Sequence, residues 1–112
     1  MSYVPDRGDL VWLNFMPQAG REQAGHRPAL VLSPKAYNEK VGLAVVCPIT
    51  SHVKGYPFEV PLLAGLPVQG AVLADHLKNL DWRARKMKPK GRVPRSVVVE
   101  VQRKIAALLL DT

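Results

Sequence analysis

EQAGHRPALVLSP, residues 22–34, joins a polar loop to a short apolar run. The apolar run lies between Pro28 and Pro34 and is typical of a buried strand over residues 29–33. Arg27 directly precedes Pro28, which favours an extended backbone and holds the guanidinium at the strand entry. A guanidinium fixed there can bind a phosphate through two donors, whereas an arginine at an ordinary strand end is merely solvated. This stretch therefore predicts a strand with a candidate anion-binding residue at its mouth.

Size and composition limit what the chain can be. Its 112 residues predict one domain over 1–112, and a hydrophobic content of 47% excludes general disorder. No apolar run approaches the ~20 residues that span a bilayer, and the charged N-terminal region argues against a signal peptide, so we expect no membrane association. The single cysteine, Cys47, predicts no intrachain disulfide and a reducing, cytoplasmic setting. The cysteine and the three histidines lack metal-ligand spacing, so we expect neither a metal nor another cofactor.

The net charge of +7 is unevenly distributed. Residues 1–60 carry six Lys or Arg against five Asp or Glu, whereas residues 61–112 carry ten against four. Residues 83–95, the basic segment, contain no acid and seven cations: Arg83, Arg85, Lys86, Lys88, Lys90, Arg92 and Arg95. Such a segment is typical of a protein that binds a polyanion, although a basic surface can also serve solubility alone.

Apolar alternation predicts several further strands. Residues 9–16 place Val11, Leu13 and Phe15 on one face, while residues 43–50 carry apolar groups on both faces and are expected to form a central strand. A strand that ends near Pro61 belongs at an edge, because proline cannot donate to a ladder. In the strand predicted at 71–77, Asp75 falls on the apolar side. We expect this carboxylate to accept backbone hydrogen bonds, because burial without a partner is costly.

The remaining pattern predicts loops and helices. Apolar residues recur at helical spacing near the C-terminus, and proline suits a first helical position, so we expect a helix over 94–110 that begins at Pro94. The other expected elements are a long functional loop at 17–27, mobile until something binds, a helical turn at 34–40, and a basic hairpin at 81–95 that turns at 89–91. Five or six short strands with one terminal helix predict a mainly β fold, a small, partly open barrel with the helix against it.

Two polar strand ends are predicted to meet. If the strands at 29–33 and 43–50 pair antiparallel, the start of one lies beside the end of the other. Arg27 then becomes a neighbour of Thr50. Ser51 and His52 follow Thr50, which brings more polar groups to the same place.

Four strings of residues resemble, in the same order, the MazF/PemK family of toxin endoribonucleases. They are YVPDRGDLVW at 3–12, EQAGHRPALVLSP at 22–34, KGYPFEV at 54–60 and ADHLKNLDWRAR at 74–85. The resemblance implies an SH3-like barrel of the PemK/CcdB type and a homodimer. It also implies metal-independent, sequence-selective cleavage of single-stranded RNA, and neutralisation by a cognate antitoxin. From the charge map, we expect that antitoxin to contribute an acidic, flexible segment.

The resemblance also implies roles for individual residues. Arg27 and Thr50 match the catalytic pair of the family, with Glu22 and His26 in the loop beside them. The predicted RNA-binding residues are Lys54, Asn14, Ser51, His76, Lys78, Arg83, Arg85 and Lys86. The chain departs from the usual pattern at Asn14 and Met16, where carboxylates are frequent, and at His76, where glutamine is common. The RNA sequence preference is therefore not transferred.

RNA cleavage without metal proceeds by attack of a 2′-hydroxyl on the adjacent phosphate, which requires proton transfer and stabilisation of negative charge. Arg27 is expected to supply the charge and is also a candidate acid, and Thr50 is expected to donate a hydrogen bond. Glu22 and His26 are suited to act as base and acid. Three aromatic residues, Trp12, Tyr56 and Trp82, are candidates to stack on bases or to pack in the core. Two alternatives remain: a toxin of the same fold that poisons DNA gyrase without cleaving anything, and a plain nucleic-acid-binding module.

Overall fold

The structure is a computed structural model that describes residues 3–15 and 26–110. Its strands are β1 Asp9–Asn14, β2 His26–Val31, β3 Leu43–Thr50, β4 Glu59–Pro61, β5 Ala71–Leu73, β6 Lys78–Asp81 and β7 Lys88–Arg92. Its helices are α1 Lys35–Val41 and α2 Arg95–Leu109, and a 3₁₀ turn covers Ala74–His76. Most of the predicted loop at 17–27 lies outside the described residues, and its last two residues belong to β2.

Seven antiparallel strands form one curved sheet in the order β4-β5-β3-β2-β1-β7, with β6 paired to β3 as well. β3 is the hub because it pairs with three strands: β2, β5 and β6. Its position follows from its sequence, since apolar side chains on both faces are buried only in a central strand. The predicted central strand and the mainly β, partly open barrel with a C-terminal helix are confirmed.

The two faces of the sheet are buried in separate cores. On one face, Leu10, Leu30 and Cys47 pack with residues of α2. On the other, Val11, Leu13 and Val46 pack with Trp82 and Met87. Alternate residues of one strand thus reach different cores, which is the period-two pattern of its sequence. In β1 the rule holds for Leu10, Val11 and Leu13, whereas Trp12 belongs to neither core and remains 36% exposed.

The predicted basic hairpin at 81–95 is wrong. β6 pairs with β3, whereas β7 pairs with β1, so the two strands do not pair with each other. Trp82 explains the difference, because its side chain is only 3% exposed and its indole N–H donates to the Asn38 carbonyl at 2.8 Å. Burial of this ring turns the chain over residues 82–87. The expected turn residues at 89–91 instead lie inside β7, where Gly91 accompanies a register shift against β1.

The predicted strand at 71–77 is also too long. β5 ends at Leu73, and the 3₁₀ turn that follows breaks the alternation of side chains. Asp75 is therefore exposed instead of buried, and the expected backbone partners are not needed.

The C-terminal helix α2 begins one residue later than predicted. Pro94 has an extended backbone and forms the N-cap, so Arg95 is the first helical residue. Val97, Val98 and Val101 form the buried face and pack on the first core. In the parts of the chain that the structure describes, no helix combines the length and the apolar character needed to cross a membrane.

Candidate active site

A cleft of about 680 Å³ lies where β2 begins and β3 ends. β4, β5, the 3₁₀ turn and the segment between β3 and β4 contribute its other walls. Its lining residues are Arg27, Thr50, His52, Lys54, Tyr56, Phe58, Glu59, Leu73, Asp75 and His76. Seven of these residue types (Arg, Thr, His, Lys, Tyr, Glu and Asp) can carry or transfer a proton or bind an anion, so this cleft is the candidate active site.

Arg27 and Thr50 reach the cleft through strand pairing. β2 and β3 pair antiparallel, as predicted, with Ala29 opposite Pro48. Continuing the same register by two residues places Arg27 opposite Thr50. Both side chains line the cleft. The sequence prediction that these two residues are neighbours is therefore confirmed by the geometry of the sheet.

The hydroxyl group of Thr50 is fixed by a hydrogen bond that it accepts, and it keeps a proton that it can donate. Its side-chain oxygen accepts the backbone N–H of His52 at 3.0 Å, and the residue is 8% exposed. A hydroxyl has two acceptor lone pairs and one proton, so the O–H of Thr50 remains able to donate towards the cleft. The strand end that carries Thr50 is therefore set up to offer a hydrogen bond to an anion.

Gly70 makes the position of Thr50 possible. A Cβ atom at residue 70 would lie 2.0 Å from the Thr50 carbonyl oxygen, and Gly70 has a φ of +123°. Both the close approach and the backbone angle require glycine. β5 can thus pair with the end of β3, where Ala71 lies opposite Thr50.

Residues 51–58, which we call the arch, connect β3 to β4 without regular secondary structure until the turn that begins at Pro57. Alternate residues of the arch face the cleft: His52, Lys54, Tyr56 and Phe58. The Lys54 ammonium lies 5.8 Å from the centre of the Tyr56 ring, and Tyr56 is 61% exposed. The arch therefore brings an imidazole, a cation and an exposed aromatic ring to the rim of the cleft.

Two carboxylates of the cleft were not predicted as site residues. Asp75 lies on the 3₁₀ turn, where its Oδ1 is 3.8 Å from Nε2 of His76. Glu59 is only 7% exposed and accepts backbone N–H groups from the arch. Both residues belong to strings that resemble the toxin family, and this is the signal that could have drawn attention to them.

The other predicted catalytic residues are not brought to the cleft by the described part of the chain. Glu22 lies outside the described residues. His26 pairs with Asn14 of β1, and side chains of consecutive strand residues point to opposite faces, so His26 points away from the face of Arg27. The catalytic role of both residues stays a prediction.

The predicted RNA-binding residues divide into two groups. Lys54 and His76 line the cleft, and Ser51 is exposed beside it without lining it. Asn14 and Arg85 are joined through the backbone, where the Asn14 N–H donates to the Arg85 carbonyl at 3.0 Å. The remaining cations, Lys78, Arg83 and Lys86, lie in β6 and the turn after it, outside the cleft lining.

The three aromatic candidates differ in their exposure to solvent. Trp82 belongs to the core, with Arg83 at 4.7 Å from its ring centre, so of its two predicted roles the structure supports packing in the core. Trp12 and Tyr56 are exposed enough to meet a base.

Within residues 3–15 and 26–110, no group of three or more His, Cys, Asp or Glu residues could hold a metal ion. Cys47 lies in the first core, where burial raises the pKa of its thiol to about 12. The thiol therefore stays protonated and does not contribute a nucleophile.

Known proteins match the chain over almost its whole length. The Escherichia coli (strain K12) endoribonuclease toxin MazF is 50% identical over 107 residues, which cover 96% of each chain. Escherichia coli endoribonuclease PemK is 34% identical over 108 residues, or 93% of this chain and 81% of that one.

Solved structures agree with the sequence matches. The crystal structure of MazF from Deinococcus radiodurans aligns with a TM-score of 0.93 and 59% identity, and covers 96% of this chain and 98% of its own. A MazE-MazF crystal structure from the same organism aligns with a TM-score of 0.88 and 52% identity. This alignment covers 99% of this chain and 100% of the matched chain. The model of the PemK-like, MazF-like toxins of type II toxin-antitoxin systems matches residues 6–109, so the chain belongs to this family.

Proposed function

We propose that this chain is an endoribonuclease that cleaves single-stranded RNA at selected sequences, without a metal ion, and acts as a growth-inhibiting toxin. The observation that carries the proposal is the pairing of Arg27 and Thr50 in one cleft. The names of its relatives, which describe endoribonucleases, support the same activity. The family match over 6–109 supports a single toxin domain over 1–112, and the one free cysteine supports a reducing, cytoplasmic setting.

In the proposed reaction, the 2′-oxygen of the RNA attacks the adjacent phosphorus, and the bond from phosphorus to the 5′-oxygen breaks. The 2′-hydroxyl gives up its proton to a base, and the leaving 5′-oxygen receives one from an acid. The products carry a 2′,3′-cyclic phosphate and a 5′-hydroxyl. Atoms and charges balance without an external reactant.

Arg27 and Thr50 stabilise the phosphate during this step. Negative charge grows on the phosphate oxygens, and a fixed guanidinium and a hydroxyl donor lower the energy of that state more than that of the substrate. The proton carriers are a separate matter. Glu22 and His26 remain our sequence-based candidates, while His52 and His76 bring imidazoles into the cleft itself.

One assay tests the proposed function and its rivals. Purified protein is incubated with a long messenger RNA in EDTA, the cleavage site is mapped, and the 5′ ends are analysed. Cleavage that leaves 5′-hydroxyl ends supports the proposal. An oligonucleotide with 2′-deoxyribose at the mapped position should then bind but survive. Ends with a 5′-phosphate, or a strict need for magnesium, would refute the mechanism. Binding without cleavage would indicate a nucleic-acid-binding module. The absence of both binding and cleavage would favour a gyrase poison.

We also propose a cognate antitoxin that contributes an acidic, flexible segment. The solved MazE-MazF complexes support an antitoxin partner for a chain of this family. The basic segment supports the chemistry, because all five residues of β7 are exposed and three of them are cations. A flexible polyanion that covers this surface and the cleft would compete with RNA.

The proposed homodimer has a candidate interface. An apolar groove of about 600 Å³ runs along α2 and contains Tyr37, Leu77, Ile105 and Leu109. Leu77 and Leu109 are 41% and 65% exposed, and such contiguous apolar surface favours association. His76 lines the cleft and Leu77 lines the groove, so a second copy seated here would reach the cleft rim. Sedimentation equilibrium at the mass of one chain would contradict the homodimer.

A further inference from the structure

Glu59 is an unusual residue for the floor of a cleft that receives a polyanion. It is a carboxylate with 7% exposure, and a buried carboxylate is costly unless its oxygens accept hydrogen bonds. It also adds a negative charge to a cleft whose other formal charges are Arg27, Lys54 and Asp75. Charge alone would therefore favour a neutral residue at this position.

The hydrogen bonds of Glu59 explain its presence. Its Oε1 accepts the backbone N–H groups of Lys54 at 3.0 Å and Gly55 at 2.8 Å, and its Oε2 lies 3.3 Å from the Lys54 nitrogen. Gly55 has a φ of +78°, which glycine adopts readily and which directs two successive N–H groups to one side. Within the described part of the chain, backbone donors of the arch thus stabilise this buried carboxylate.

The arch is fixed at its ends by other contacts. At the start, the His52 N–H donates to Thr50, and near the end, the Phe58 carbonyl accepts the Ala74 N–H at 3.0 Å. Lys104 of α2 donates to the Pro57 carbonyl. Between these ends, Glu59 supplies the side chain that holds the backbone of Lys54 and Gly55. Glu59 itself is anchored in β4, where it lies opposite Leu73 of β5.

We infer that Glu59 is a positioning residue that holds the arch in its RNA-binding shape. It fixes the backbone beneath Lys54 and so directs the Lys54 ammonium and the Tyr56 ring towards the cleft. Its role is to hold the cation-bearing arch for substrate binding, and it takes no part in the proton transfers. This inference rests on the proposed endoribonuclease function and adds a residue to the substrate site.

Glu59→Gln and Glu59→Ala separate shape from charge. Both variants remove one negative charge, but only glutamine keeps an oxygen that can accept the arch N–H groups. If electrostatic repulsion dominated, both variants would bind RNA more tightly than the wild type. If shape dominates, glutamine preserves binding and alanine weakens it.

The readouts are the dissociation constant for the uncleavable 2′-deoxy oligonucleotide and the steady-state constants for its cleavable counterpart. We expect Glu59→Ala to raise Kd and KM by about tenfold, with kcat within about threefold of wild type. Glu59→Gln should stay within about threefold in all three constants. Glu39→Ala, which removes an exposed carboxylate on α1, is the matched control and should change none of them.

Amide hydrogen exchange at Lys54 and Gly55 provides an independent readout, and their protection should fall in Glu59→Ala but not in Glu59→Gln. If Glu59→Ala does not fold, Glu59→Asp takes its place, because the shorter side chain withdraws the oxygens from the arch. Tight binding by the folded alanine or aspartate variant, or equal losses with alanine and glutamine, would overturn the inference. A wild-type protein that cleaves no RNA would instead refute the proposed function.

Discussion

The cleft and the basic segment are both rich in cations, but they hold them in different ways. In the cleft, Arg27 and Lys54 share the lining with two carboxylates, and they are placed by strand pairing and by the arch. The sequence of the basic segment contains seven cations and no acid, and the cations of β7 are exposed on an edge strand, where Arg92 forms an ion pair with Asp9 of β1. Net charge therefore attracts a polyanion to the surface, whereas fixed geometry in a concave site is needed to act on one phosphate.

The largest difference between the two regions should appear when an arginine is removed from each. Arg27→Ala should reduce RNA cleavage by about a hundredfold or more, because a donor to the developing charge is lost. Arg95→Ala, an exposed arginine of the basic segment, is the matched control and should stay within about threefold. Circular dichroism and thermal unfolding check that both variants fold. A folded Arg27→Ala variant with near wild-type activity would remove the cleft from the mechanism.

A smaller effect is expected at Thr50, because water can partly replace a hydroxyl. Thr50→Ala should lower kcat by about tenfold, less than the loss for Arg27→Ala. Thr50→Ser keeps the oxygen that accepts the His52 N–H and the proton that it donates, so it should retain most of the activity. Single-turnover rates at saturating RNA measure the step itself. Equal losses with alanine and serine would show that the methyl group, not the hydroxyl, is what the site needs.

The smallest effect on cleavage should come from the exposed strand. Lys88→Ala combined with Lys90→Ala should leave cleavage within about threefold at moderate salt, since neither residue lines the cleft. The same variant should slow association of an acidic antitoxin peptide and weaken its dependence on salt. Stopped-flow association rates over a salt series measure this. Unchanged rates would show that β7 does not attract the peptide, and that its lysines serve instead to protect a sheet edge.

Much of the site could be predicted from the sequence because it depends on strand pairing. Two apolar strands with polar ends, when paired antiparallel, bring Arg27 beside Thr50, and this needs only alternation and direction. The face of His26 could not be predicted in this way. β2 begins at His26 instead of residue 29, and once a residue belongs to a strand its side chain points opposite to that of the next residue.

The other differences arise from tertiary contacts that leave no periodic signal. Whether Trp82 is buried or exposed decides the path of residues 82–87, and that choice depends on the distant carbonyl of Asn38. A single 3₁₀ turn moves Asp75 from a predicted core face to the cleft. Glu59 looks like an ordinary strand residue until its oxygens are seen to accept the arch N–H groups.

The burial of Cys47 makes the protein convenient to label. Thiol-reactive dyes attack the thiolate, and with a pKa of about 12 only about one molecule in ten thousand carries that form at pH 8. The sulfur is also shielded in the first core, with Ala74 against it. A cysteine introduced on the arch, for example at Val53, which is 50% exposed, would react far faster. Fluorescent reporters that test the proposed binding of RNA and antitoxin can thus be attached without replacing Cys47.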